Sequence, residues 1–156
     1  GGLDIVGQEA KLKQSVARLS EAGIVSSVFI DAELPQIEAA ARIGARVCEI
    51  HTGPYAHAFH EKGRDAESPA VLAELEKIRL AGQAIRDLGM RFNAGHALNY
   101  FNVQPVARLP GIRELHIGHA IVSRAVFTGL REAVREMKRL MREAQTQGQP
   151  QTVATQ

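Results

Sequence analysis

Apolar positions along this chain recur at two alternating spacings, one of about 3.6 residues and one of about 2, and the alternation sets out the elements in order. From Asp4 to Ala22 a helix is predicted. Leu12, Val16 and Leu19 share one of its faces, Lys11, Lys13 and Arg18 lie on others, and Gly23 is placed to end it with a left-handed cap. A strand follows at Ile24 to Asp31, with Val28, Phe29 and Ile30 as its apolar centre. Asp31 closes it, read first as the N-cap of the next helix and second as a site carboxylate. That helix, Glu33 to Arg42, is Ala-rich, carries Pro35 in its first turn and stops at Gly44.

Arg46 to Gly53 reads as the second strand. Glu49 and His51 are two apart and so share a side, while Cys48 and Ile50 point to the other. An ionisable pair on one face of an apolar strand is unfavourable unless paired or used. Two readings stand: site residues, or a Glu-His hydrogen bond in a polar layer of the core. Pro54 to Pro69 is polar without a clear period and is expected to be a long loop. His57 and His60 within it have no third ligand at a recognisable spacing, which favours a solvated loop over a metal site. Ser68-Pro69 then opens a long helix with Val71, Leu75, Ile78, Ile85 and Leu88 as its core stripe and Gly89 at its end.

In the next strand Met90, Phe92 and Ala94 alternate with Arg91 and Asn93, and the strand runs into Gly95-His96-Ala97-Leu98-Asn99-Tyr100. A strand that finishes in Asn and His presents groups a hydrophobic core has no use for. Such strand ends carry the ligand-binding loops of α/β proteins, so His96 is a candidate site residue, the alternative being a histidine satisfied by a backbone carbonyl. Tyr100 and Phe101 are core by default, and a short helical piece through Val103 and Val106 is kept brief by Pro105 and Pro110. The last strand, Arg113 to Gly118, passes into a helix at Gly118-His119. That junction offers unpaired N–H groups and a favourable dipole to an anion, or is a plain tight turn. Arg124 is a phosphate partner or a solvated charge. A terminal helix from about Gly129 to Ala144 places Leu130, Val134, Met137 and Met141 on its buried side, leaving residues 145–156 as a polar, disordered tail.

The order is helix, then strand and helix four times over, with no tight hairpin signal, which implies a parallel sheet. No nucleotide fingerprint supports a doubly wound sheet. Polar groups at successive strand ends (Asp31, Glu49 with His51, Asn93 with His96, Gly118 with His119) suggest convergence on the mouth of a barrel. Four strands cannot close an eight-stranded barrel. The fold class expected is therefore α/β, the second half of a (β/α)8 TIM barrel, with residues 1–144 as the C-terminal half of one domain. The N-terminal half is expected upstream of Gly1, since the chain opens without an initiator Met or a signal peptide.

Composition narrows the function classes. With 45% apolar and 23% charged residues the chain suits a soluble globular domain, and no apolar run approaches the roughly 20 residues that span a bilayer. A net charge of +2, from 19 basic and 17 acidic residues, gives no electrostatic case for nucleic acid. The single cysteine, Cys48, reads as a buried hydrophobe and fits a reducing cytoplasm.

Taken together, Gly1-Gly2-Leu3-Asp4, Phe29-Ile30-Asp31, the run from Glu49 to Ala56, Asn93-Ala94-Gly95-His96 with Leu98 and Tyr100, and Ile117-Gly118-His119-Ala120-Ile121 resemble the pyridoxine 5'-phosphate synthase family. The resemblance spans Gly1 to about Ala144. It implies a (β/α)8 barrel enzyme of vitamin B6 synthesis that forms a homo-oligomer in the cytoplasm and condenses 3-amino-2-oxopropyl phosphate with 1-deoxy-D-xylulose 5-phosphate. The products implied are pyridoxine 5'-phosphate, inorganic phosphate and water, with no metal or organic cofactor. By the same resemblance His96 is the proton donor and Glu49 stabilises the transition state. Gly118 and His119 bind the amino-ketone phosphate, as does Ala97, where the family pattern commonly has Gly. The family's remaining acid-base groups and its contacts to the xylulose phosphate lie on earlier strands, so the fragment alone is expected to be inactive. Two other classes stay open on the residues alone: another phosphate-handling barrel enzyme, such as an isomerase or aldolase, and a non-catalytic phosphate-binding fragment.

Overall fold

The computed structural model describes residues 1–147. Four parallel strands form one sheet in the order β1-β2-β3-β4: β1 is Ser27–Ile30, β2 Val47–His51, β3 Arg91–Gly95 and β4 Ile112–His116. Each strand pairs with the next in sequence, with Phe29 beside Glu49, Glu49 beside Asn93, and Asn93 beside Glu114. A sheet wound steadily in one direction has no switch point, which sets it apart from a doubly wound fold and makes it a partial TIM barrel.

Helices α1 (Glu9–Glu21), α2 (Leu34–Arg42), α3 (Gly53–Glu61) and α4 (Pro69–Asp87) follow one another around the first three strands, with a single 3-10 turn at Val6–Gln8 before them. The outward side chains of the strands, Val28, Ile30, Cys48, Ile50, Phe92 and Ala94, are all buried and join Ile37, Ile78 and Ile85 of the helices in one core. Gly82 lets α4 pack closely on β3, since a Cβ there would overlap the Phe92 ring. Cys48 is fully buried, its sulfur 3.6 Å from that of Met90, and burial pushes its thiol up to about 12. The caps are those the glycines indicate, with Gly23, Gly44 and Gly89 in the left-handed region at φ of 74°, 86° and 77°.

Several expectations are corrected. The stretch after β2 is not one long loop: Pro54 stands in the first turn of α3, and Tyr55, Ala56 and Phe59 form a buried stripe that its polar residues hide from a periodicity reading. The strand expected from Ile24 begins only at Ser27, leaving Ile24 and Val25 exposed, and Leu19 and Leu88 are exposed at the ends of their helices. Phe101 is 65% exposed, with the Arg64 guanidinium 4.4 Å over its ring. After α5 (Val103–Ala107) and β4 come two helices, α6 (His119–Thr128) and α7 (Leu130–Gln147), joined at Gly129 with φ 79°. Helix α7 buries Ala133, Met137 and Ala144, while Leu130 and Val134 are exposed. It takes residues 145–147 from the predicted tail, and 148–156 lie outside the described residues. No helix among the described residues is long and apolar enough to cross a membrane.

Candidate active site

The inward side chains of the sheet are unlike the outward ones. Parity along the strands turns Phe29, Glu49, His51, Asn93, Gly95, Glu114 and His116 to the concave side, and an irregularity in register between Phe92 and Asn93 brings Glu114 opposite Asn93. A polar layer results. Asn93 Nδ2 donates to Glu114 Oε2 at 3.3 Å, and His116 Nδ1 stands 2.6 Å from Glu49 Oε2 with its Nε2 3.4 Å from Glu114. Burial works against the His116 imidazolium, but the hydrogen bonds and charges of Glu49 and Glu114 outweigh it and hold its pKa above the ordinary 6.5. Gly95 makes this layer possible, because a Cβ there would overlap Glu49 Oε1 and crowd the backbone and side chain of His116.

Glu49 and His51 therefore share a face, as their spacing indicates, yet take partners from different strands. His51 Nδ1–H donates to Asp31 Oδ1 at 2.8 Å, and the Gly2 N–H donates to Asp31 Oδ2 at 3.1 Å. The helix-cap reading of Asp31 is thereby overturned. Glu33 occupies the N-cap of α2, and the Asp31 carboxylate turns back across the strand ends to the imidazole. Burial raises the Asp31 pKa, but the His51 and Gly2 hydrogen bonds prevail and leave it below 3.8.

His96 leaves β3 with φ 82° and Ala97 follows at 57°, two successive residues in the left-handed region that L side chains rarely adopt. The surrounding hydrogen bonds hold this turn. The buried Thr52 hydroxyl lies 2.7 Å from the Gly95 carbonyl and 2.6 Å from that of His96, and the Thr52 N–H donates to Gly95 as well. The buried Asn102 donates to the Ala97 carbonyl at 3.2 Å and accepts from the Asn99 N–H at 2.7 Å, and the Tyr55 hydroxyl donates to the Asn102 carbonyl at 2.9 Å. Helix α3, missed in the sequence, thus braces the loop that presents His96. The His96 ring makes no hydrogen bond among the described residues, so it is not the carbonyl-satisfied histidine of the alternative reading.

The five predicted site residues, Glu49, His96, Ala97, Gly118 and His119, line one cleft of about 740 Å³. Phe29, His116 and Ile117 complete its wall. Gly118 is the N-cap of α6, and a Cβ there would meet nothing within 4 Å, so its contribution is open access to the first N–H groups of the helix. Arg124 does not line the cleft; its guanidinium stacks 4.3 Å over the Tyr100 ring. His57 and His60 lie outside it too, His57 pairing with Glu61 at 3.2 Å. No group of three or more His, Cys, Asp or Glu side chains among the described residues is arranged to hold a metal ion. Sequence reasoning overlooked His116, although its parity with Glu114 on a strand running into Gly118 was a usable signal.

Comparison with known proteins finds relatives that match most of the chain. Pyridoxine 5'-phosphate synthase from Azoarcus sp. strain BH72 is 83% identical over 144 residues, covering 92% of this chain and 58% of that protein. The enzyme of the same name from Dechloromonas aromatica is 79% identical over 149 residues, 96% of this chain and 59% of its own length. A more distant one, from Magnetococcus marinus, is 51% identical over 144 residues. The chain thus spans somewhat more than half the length of the curated relatives it matches. The family described as pyridoxal phosphate biosynthesis protein PdxJ matches residues 1–143, and the chain belongs to that family.

Proposed function

We propose that this chain supplies the C-terminal half of a pyridoxine 5'-phosphate synthase barrel, which joins 3-amino-2-oxopropyl phosphate to 1-deoxy-D-xylulose 5-phosphate with release of inorganic phosphate and water. The observation that carries the reading is the gathering of Glu49, His96, Ala97, Gly118 and His119 around one cleft at the ends of the strands. The phosphate of the amino ketone sits at the head of α6, held by backbone N–H groups at Gly118 and His119, with Ala97 across the cleft. Anchoring there leaves the reactive amino ketone beside His96. Imine formation and dehydration both require proton transfer near neutral pH, which an imidazole supplies as donor. The Glu49 carboxylate stabilises the positive charge that develops on the imine nitrogen.

The groups that complete the site belong to earlier strands of the full polypeptide, and this chain by itself is inactive. Val126 and Phe127 of α6, 77% and 90% exposed, support a surface covered in the complete homo-oligomer. The lone buried Cys48 supports a cytoplasmic location.

The test is a full-length chimera in which this chain replaces the matching stretch of the Azoarcus relative. It is expected to make pyridoxine 5'-phosphate from the two substrates, and His96→Ala should lower kcat by about 10² to 10⁴ while leaving the fold intact. A folded chimera that forms no product, or a His96→Ala variant with undiminished turnover, would overturn the reading.

A further inference from the structure

We infer that Asp31 and His51 form a positioning pair that orients the His96 ring. The inference deepens the catalytic reading of His96 and rests on it. His96 is exposed and its ring makes no hydrogen bond of its own among the described residues, so what contacts it from the sheet side bears on where it points. Its neighbours are two rings: His51 meets it edge-on with centroids 4.8 Å apart, and Phe29 lies 6.3 Å away. Phe29 and His51 are in turn edge-on at 5.2 Å, so β1, β2 and the exit of β3 each contribute one ring to a closed cluster.

A bare imidazole would be a poor wall, free to turn about its side-chain bonds. His51 is not free. Its Nδ1–H is held by Asp31 at 2.8 Å, and the second oxygen of Asp31 is held by the Gly2 N–H at 3.1 Å. On the far side Nε2 lies against the backbone at Gly53, where a Cβ would intrude to within 2.4 Å. The His51 side chain is 13% exposed, so the imidazole end of the Asp31 bond is largely shielded from solvent. Carboxylate, imidazole and His96 ring thus stand in series. The backbone clamp from Thr52 fixes where His96 leaves the strand, and the Asp31-His51 pair fixes where its ring points. A proton donor displaced by a fraction of its hydrogen-bond length loses most of its effect, which gives this orientation its weight in turnover.

The pair is tested in the full-length chimera. His51→Phe keeps a ring against His96 but cannot bond Asp31, and Asp31→Asn weakens the same link from the other end. Each is expected to lower kcat about tenfold to a hundredfold with KM for both substrates held within about twofold. The double variant should be no slower than about the worse single one, because one interaction is removed twice. Asp31→Glu should recover part of the loss. In a His96→Ala background His51→Phe should change the residual kcat by less than about twofold. Wild-type kcat in His51→Phe and Asp31→Asn, alongside a large loss in His96→Ala, overturns the pair and leaves the functional reading standing. An equal loss from His51→Phe with and without His96 assigns His51 its own role and also overturns it. Undiminished kcat in His96→Ala overturns both readings. If His51→Phe does not fold, Asp31→Asn, at a side chain 42% exposed, carries the test alone.

Discussion

The two faces of the sheet in this chain are built from the same strands and obey opposite rules. Outward, Val28, Ile30, Cys48, Ile50, Phe92 and Ala94 are buried under α2 and α4 and contribute by excluding water. Inward, at alternating positions one residue away, stand Glu49, His51, Asn93, Glu114 and His116, joined by hydrogen bonds between strands, with Glu49 and His116 lining the cleft. The inner layer gives up hydrophobic burial in order to hold ionisable and polar groups at fixed positions. Apolar and ionisable side chains are thus segregated by parity, and a substitution's effect should depend on whether its position is odd or even along a strand.

The hardest test of that segregation is on the outer face. Phe92→Ala empties a site that is 1% exposed and should destabilise the full-length chimera by about 3–5 kcal/mol in urea unfolding, with kcat per folded molecule unchanged. Glu49→Gln should do the converse. It keeps the shape of the inner layer while removing the charge, and kcat is expected to fall about 10²- to 10³-fold with the urea midpoint nearly unmoved. A loss of stability as large as that of Phe92→Ala would show that the inner layer is structural after all.

Smaller effects sharpen the contrast. His116 binds its proton more tightly folded than unfolded, so its pairing with Glu49 and Glu114 contributes fully below pH about 6.5 and fades as pH rises through its raised pKa. The side chain is 44% exposed, and solvent screening keeps this within about 1 kcal/mol. The urea midpoint of the chimera should fall over that interval, and the fall should flatten in Glu49→Gln. Smallest of all, Ala97→Gly relieves a left-handed φ of 57° and should stabilise the chimera by about 0.5 kcal/mol, the relief being offset in part by a freer unfolded chain. No gain in midpoint would mean that the strain at the His96 turn is carried elsewhere.

Much of this was legible along the chain. Period-2 runs ending in polar residues, separated by helices with glycine stops, announced a parallel sheet with polar groups at its strand ends. Glu49, His96 and Gly118-His119 stood out because an apolar strand has no other use for them. Helix α3 was not legible: Tyr55, Ala56 and Phe59 make too short a stripe among polar neighbours, and it is packing against α4 that buries them. Nor was the role of Asp31, whose carboxylate at a strand end suits a helix cap as well as a histidine.

What the sequence determined by itself is the list of elements and the parity of their residues, because both follow from backbone geometry within a few positions of each side chain. Partnership belongs to the tertiary structure. Glu49 and His51 lie two apart, yet one pairs with His116 and the other with Asp31, residues 67 and 20 positions away. Strand order and the register between β3 and β4 decide such pairs, and no local pattern encodes either. The His96 turn makes the same point, since its two left-handed residues persist only where Thr52 and Asn102, brought from β2's end and the start of α5, hold their carbonyls in place.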